Sequence, residues 1–406
     1  AGSASDAAEL SLPVWTPATT EAFATYGVID KGAITQPVAL PGKVVTQFGG
    51  LEVETSSTQL QALTDAFIYL VTYPFECSEQ MASRMLSIVA LRDVLTEFKA
   101  EGLPPKAALE ARIARDIELL ASIQNSEGGF PFWRRGYESW PYNTVHVANA
   151  LVRAKLKGYA VPADMLDRTM RYLKDIERYY PHYYGPQIRW TISSYALYIR
   201  MLNGDRDVAK AKGILREASK LENLSMESIG WLLGVFAAQR DAATEQASLI
   251  KFLGNRVSET AGAANFTTSY SDGGYLLLAS ERRVDGVILE SLIAAQKDSE
   301  LIPKLVMGLL AHQKKGRWGN TQENSLILLA LDKYFHTYEN ITPNFVARAW
   351  LGDKYAGEMA FRGRETKRHQ FMVPMLAVSE LGGGSGKGNL ILQKDGAGRM
   401  YYRIGM

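Results

Sequence analysis

The chain has almost no cysteine: one residue, Cys77, in 406. That excludes an internal disulfide framework and is silent on redox compartment, but it leaves the thiol available for other chemistry. Charge of one sign is lacking too, with 45 Lys plus Arg against 43 Asp plus Glu and a net charge of +2. Neither nucleic acid nor an acidic polymer is implied as a partner. No apolar run approaches the roughly 20 residues that cross a bilayer, so direct membrane contact is not expected. No His, Cys, Asp and Glu cluster has metal-ligand spacing, and no cofactor is expected. Residues 1–8 lack the charged start and apolar run of a secretory leader. The chain begins without Met and stops on a strand-like stretch at 401–406, so both ends read as boundaries within a longer protein.

What is there is organised around Tyr73-Pro74-Phe75-Glu76-Cys77-Ser78-Glu79-Gln80-Met81. Met81, Met85, Ile88, Val89 and Leu95 recur at helical intervals, which places Cys77 and Gln80 on one face at or just before a helix N-terminus. A sulfur held against the Gln80 side-chain carbonyl can displace ammonia and leave a thioester closing a small ring. Such an acyl group is activated, since a thiolate of reference pKa about 8.5 leaves far more readily than an amide nitrogen. A lone cysteine is otherwise a small buried hydrophobe. A thioester lasts only where water is excluded, so Tyr73 and Phe75, with Pro74 fixing the turn, are either covers for the acyl group or ordinary packing at a helix start. Glu79 either caps the helix or orients the ring.

A length of 406 residues suggests two or three domains. Residues 1–36, rich in Ala, Thr, Ser and Pro, read as a linker. Then 37–40, 43–47 and 51–55 carry β-branched residues, alternation and Gly-Gly punctuation, which predict strands. Ser56, Ser57 and Thr58 supply N-cap chemistry before a helical pattern at Leu60, Leu63, Ala66, Phe67 and Leu70. From 58 to 336 the pattern is almost wholly helical, in about a dozen segments separated by Gly, Pro or polar turns. That number suits an α/α toroid of about six helical hairpins. Imperfect repetition agrees: Gly128-Gly129-Phe130 with Trp133 precedes a helix opening at Asn143-Thr144, and Gly316 with Trp318 precedes one opening at Asn320-Thr321. Residues 275–280 read as a short hairpin. Strand texture returns at 345–350, 358–361, 370–378, 389–393 and 399–404. The expected fold class is α+β and multidomain, with 37–57 and 337–406 as two parts of one β-sandwich and the α/α toroid, 58–336, inserted between them; pieces of two different sandwiches are the alternative.

Cys77-Ser78-Glu79-Gln80, preceded by Tyr73-Pro74, resembles the C-x-E-Q thioester motif of the alpha-2-macroglobulin and complement family, and the wider context resembles its bacterial members. Residues 17–27 and Gly49-Gly50-Leu51-Glu52-Val53 are similar to the segment preceding the thioester domain in that family. Gly316-Arg317-Trp318-Gly319-Asn320-Thr321-Gln322-Glu323-Asn324 is similar to the aromatic, Thr-Gln turn that opens the last helix of the domain. The resemblance covers nearly the whole chain. It implies a CUB-like sandwich hosting the thioester domain, within a protease trap whose cleaved bait segment triggers exposure of the thioester. Cys77 is then the thiolate leaving group and Gln80 the acyl donor. It further implies a single-turnover endopeptidase inhibitor rather than an enzyme, periplasmic and often lipid-anchored to the inner membrane, with attacking proteases as covalent targets and the remaining macroglobulin-type domains as partners. In the complement branch a downstream histidine relays the acyl group to hydroxyls. His182, in Tyr179-Tyr180-Pro181-His182-Tyr183-Tyr184-Gly185, lies in roughly the right region without a matching motif. Without such a histidine, lysine amines are the expected acceptors.

Two readings from other classes stand beside this one. An α/α-toroid enzyme of glycosidase or cyclase type needs paired carboxylates, for which Asp272 and Glu323 are candidates. A scaffold with a dead thioester needs none. Gly382-Gly383-Gly384-Ser385-Gly386-Lys387-Gly388 departs from a phosphate loop, because Leu381 stands where its first Gly belongs and Gly388 replaces the final Ser or Thr. A flexible hairpin between strands is expected there. Trp133, Trp140, Trp190, Trp231 and Trp318 read as core.

Overall fold

A computed structural model describes residues 9–11, 24–60, 63–98, 102–237, 239–270, 273–365 and 368–406. Strands β1 (Ala24–Ile29), β2 (Gly32–Ala39) and β3 (Gly50–Ser56) come first. Helices α1 (Thr64–Val71), α2 (Ser78–Glu97), α3 (Lys106–Ile123), α4 (Pro141–Leu156), α5 (Ala163–Lys174), α6 (Pro186–Leu202), α7 (Val208–Ala218), α8 (Met226–Phe236) and α9 (Ala243–Arg256) follow. A small hairpin, β4 (Val257–Glu259) and β5 (Ala264–Phe266), precedes α10 (Arg283–Ala295), α11 (Leu301–Ala311) and α12 (Thr321–Tyr338). The chain closes with β6 (Asn344–Leu351), β7 (Lys354–Arg362), β8 (His369–Pro374), β9 (Lys387–Ala397) and β10 (Met400–Gly405).

The even-numbered helices pack in a closed ring, α2 on α4, then α6, α8, α10, α12 and back to α2. The odd-numbered helices lie outside it, which makes the α/α toroid. A ring helix meets neighbours on every side and must bury almost all of its surface. In α2 fifteen of twenty residues are buried, whereas outer α5 buries five of twelve along one stripe. Close approach within the ring uses small residues: a Cβ on Gly230 or Gly286 would stand 2.8 to 3.0 Å from Val287 or Ile327. Hydrogen bonds at or near the helix starts link Glu79 to Thr321, Gln322 to Tyr142, Tyr142 to Arg283, Arg283 to Glu227, and Thr191 to Ser225. All six inner helices thus present their N-termini at one end, where their dipoles favour negative groups.

The strands form two four-stranded antiparallel sheets, β1-β10-β3-β8 and β2-β9-β6-β7. Each sheet mixes strands from before and after the helices, so the toroid is inserted into one sandwich. Alternation along β6 turns Phe345, Ala347, Ala349 and Leu351 inward, against Val53, Phe361, Leu390 and Leu392. Where the chain crosses between the two bodies, buried Glu339 accepts from the Thr58 hydroxyl at 2.5 Å and the Gln59 N–H at 3.1 Å.

Several expectations are corrected. Residues 24–36 are not linker, because β1 and most of β2 lie there. Their Ala, Thr and Gly content hides the strands, and Pro37 is tolerated because β2 is a sheet edge. Residues 43–47 form turns, with Lys43 at a φ of 63°. The first helix starts at Thr64 rather than after Ser56-Ser57-Thr58, and Thr58 is engaged by Glu339 instead. The expected hairpin at 275–280 is a short helical turn, Gly274–Leu277, ended by left-handed Leu278. The strand expected over 370–378 stops at Pro374 and gives way to a helical turn, Met375–Ser379. A second turn, Leu381–Gly384, replaces the glycine-rich hairpin. Trp231 and Trp318 are core, but Trp133 is 58% exposed. Among the described residues no helix is long and apolar enough to cross a membrane.

Candidate functional site

Cys77 is the N-cap of α2, in extended conformation (φ −72°, ψ 164°), where an N-cap residue normally sits. It forms a capping box with Gln80: the Gln80 backbone N–H faces the Cys77 side chain, and the Cys77 N–H donates to Gln80 Oε1 at 3.1 Å. The i to i+3 spacing thus sets each side chain against the backbone N–H of the other residue. The N–H on Oε1 also draws electron density from Cδ, the carbon a thiol would attack. Cys77 is 5% exposed. Burial pushes its thiol up to about 11, with the Glu79 carboxylate adding to the rise and neighbouring backbone N–H groups opposing it.

The cover over this corner comes from the loop before α4. The Ser78 N–H donates to the Phe132 carbonyl and its hydroxyl to the Pro131 carbonyl, both at 2.8 Å, and Asn143 Nδ2 donates back to Ser78 Oγ at 2.7 Å. The Phe132 ring lies edge-on to Trp140, 5.4 Å between centroids, and the Trp140 indole N–H donates to the Leu276 carbonyl at 3.0 Å. Tyr73 stands edge-on between Tyr69 and Phe75, with centroids 5.3 and 5.9 Å away. Pro74 is exposed, and Phe75 is 59% exposed.

Glu76, just before the cysteine, is gripped by Arg115 at 2.7 and 2.9 Å, with Arg112 at 3.4 Å and Arg84 at 3.6 Å. The Arg115 hydrogen bonds hold its carboxyl below the usual range. Buried Arg84 is itself fixed by a bidentate pair with Asp116, both contacts 2.8 Å. Glu79 turns the other way, into the toroid, where Ser83, Thr321 and Gln322 donate to it.

The structure does not unite every candidate. His182 lies exposed between Tyr179 and α6, its ring edge-on to Tyr183 and its carbonyl accepting from Arg189. Among the described residues it makes no hydrogen bond or ring contact with Cys77 or Gln80. Glu323 is occupied as a local cap, accepting from the Gly319 N–H at 2.7 Å and the Arg282 N–H at 2.9 Å; Asp272 lies outside the described residues. The sequence reading missed Ser78, Ser83, Phe132 and His146. The signal for Ser83 was its i+4 spacing from Glu79, and for Phe132 the Gly128-Gly129 turn.

No protein-family model matches the chain. A circularly permutated Ras protein of Dictyostelium discoideum is 27% identical over 368 residues, covering 86% of this chain and 9% of that protein. An alpha-2-macroglobulin homolog of Nostoc is 26% identical over 411 residues, covering 98% of this chain and 20% of its own length. The chain thus spans 9% and 20% of the lengths of these two relatives. The solved structure of trypsin-activated alpha-2-macroglobulin from Escherichia coli superimposes with a TM-score of 0.66 over 95% of this chain and 24% of that one, at 16% identity. That likeness establishes the fold.

Proposed function

We propose that the chain, whose homologues over most of its length include bacterial alpha-2-macroglobulins, is the thioester-bearing part of a protease trap. The observation that carries this reading is the capping box that holds the Gln80 side-chain carbonyl against the residue bearing the buried Cys77 thiol. In the first step the Cys77 sulfur bonds to Gln80 Cδ, the C–N bond breaks, and the thiol proton leaves with the departing ammonia. In the second, an amine such as a lysine Nζ of an attacking protease attacks the same carbon. The C–S bond breaks, an amide forms, and the proton released by the amine returns to the Cys77 sulfur. Each chain reacts once, without a cofactor, so the protein acts as an inhibitor. Its setting is proposed to be the periplasm, in a longer protein anchored to the inner membrane by lipid.

Acyl transfer of this kind is tested with a biotinylated primary amine. Incorporation at Gln80, located by peptide mass, with one Cys77 thiol released per amine and none taken up by Cys77→Ala, is the expected result. Equal uptake by the variant, or uptake at other residues only, contradicts the reading.

A further inference from the structure

Behind the capping box lies a buried hydrogen-bonded chain that the two chemical steps leave unused. Glu79 stands between Cys77 and Gln80 and is 5% exposed. Its Oε1 accepts from Ser83 Oγ at 2.7 Å, Thr321 Oγ1 at 2.9 Å and Gln322 Nε2 at 2.7 Å, and Thr321 also lies 3.0 Å from Oε2. These donors sit on α2 and α12, so one carboxylate joins the first turns of two ring helices. Each donor is oriented in turn. Ser83 Oγ is 2.9 Å from His146 Nε2 on α4. Because Ser83 gives its one proton to Glu79, His146 donates from Nε2 and accepts at Nδ1 from the Tyr195 hydroxyl, 3.3 Å away. Gln322 Oε1 accepts from the Tyr142 hydroxyl at 2.9 Å, and that hydroxyl accepts from Arg283 at 2.7 Å.

A carboxylate sunk this deeply is costly unless its donors are fixed, and apolar packing would join α2 to α12 equally well. The expense falls in the two-residue gap between sulfur and acyl donor. We infer that Glu79 is a positioning residue for the Cys77–Gln80 reaction, clamping the first turn of α2 to Thr321 and Gln322 of α12 and, through Ser83, to His146 of α4, so that sulfur and Cδ stay in reacting register. This rests on the thioester reading above. Its second consequence is electrostatic: the Glu79 charge beside Cys77 disfavours the thiolate, and removing it eases thiol ionisation.

The test compares the wild-type chain with Glu79→Gln and with the exchange Glu79→Gln plus Gln322→Glu, which rebuilds an amide-to-carboxylate bond across the same helices. Intact mass measures ammonia loss, methylamine gives the rate of ring opening, thermal unfolding monitors the fold, and alkylation of the freed thiol is followed against pH. Glu79→Gln should reduce ring formation about tenfold to a hundredfold and move the alkylation midpoint to lower pH, and the exchange should restore ring formation. Thr321→Val, which removes one donor and keeps the volume, should lower ring formation less and serves if Glu79→Gln does not fold. A wild type that forms the ring, with Glu79→Gln forming it equally, overturns the inference and leaves the thioester reading standing. A wild type that forms no ring overturns the thioester reading, and an alkylation midpoint unchanged by Glu79→Gln then overturns the inference as well.

Discussion

The backbone N–H of Cys77 donates at 3.1 Å to Oε1 of Gln80, so the residue carrying the sulfur also polarises the carbonyl it would attack. Cys77→Ser retains an N-cap of at least equal quality, and its melting temperature should match or exceed that of the wild type while amine uptake disappears. Gln80→Ala should abolish uptake as well, and cost about 1 kcal/mol through loss of half the capping box. Urea unfolding alongside amine labelling checks both.

With the thiol free, burial pushes Cys77 up to about 11, well above an ordinary thiol. Its alkylation should therefore climb well above pH 9. A folded thiol that keeps its proton longer than the unfolded one makes stability fall as pH rises through that window, by about 2 to 3 kcal/mol at its upper end. Cys77→Ser should lack this component, as unfolding free energies measured from pH 8 to 11 would reveal.

Burial pushes His146 down to about 3 from 6.5. The unfolded state takes up that proton first, so its contribution to stability is whole above pH 6.5 and is lost as pH falls toward 3. Asp285, pushed up to about 7 by burial, acts in the opposite sense over much of the same range. The difference between wild type and His146→Gln isolates the histidine: the variant should lose less stability on acidification, as read from unfolding midpoints between pH 7 and 4.

Arg84 and Asp116 are both fully buried and paired at 2.8 Å. Arg84→Met strands the Asp116 carboxylate and should cost about 3 to 5 kcal/mol, whereas Arg84→Met with Asp116→Leu should recover most of it. Chemical denaturation of the single and double variants measures the coupling.

The Glu339 carboxylate ties the chain leaving the toroid to Thr58 and Gln59 entering it. Glu339→Ala should raise hydrogen exchange at the Gln59 amide while leaving protection within α2 and α4 unchanged, since the ring does not depend on that bond.

What could be read in the sequence was what is local. The Cys77 to Gln80 spacing, the helical period of α2 and the count of ring helices all depend on residues a few positions apart. Glu79 was visible as part of the motif, but its partners Thr321 and Gln322 lie 242 and 243 residues away, and only ring closure brings them together. His146 carries no motif, because its neighbours are set by the packing of α4 on α2. Strand β1 and most of β2 escaped notice since their pairing with β10 and β9 is equally remote. Lys43 and Leu278 broke expected strands by adopting left-handed backbone that their side chains do not advertise.

The most direct measurement is the intact mass of the freshly purified, denatured chain before and after methylamine, with titration of the Cys77 thiol. A chain lighter than its sequence by one ammonia, which gains one methylamine and releases one thiol, is expected. Sequence mass with a titratable thiol from the outset and no methylamine uptake would contradict the proposed chemistry.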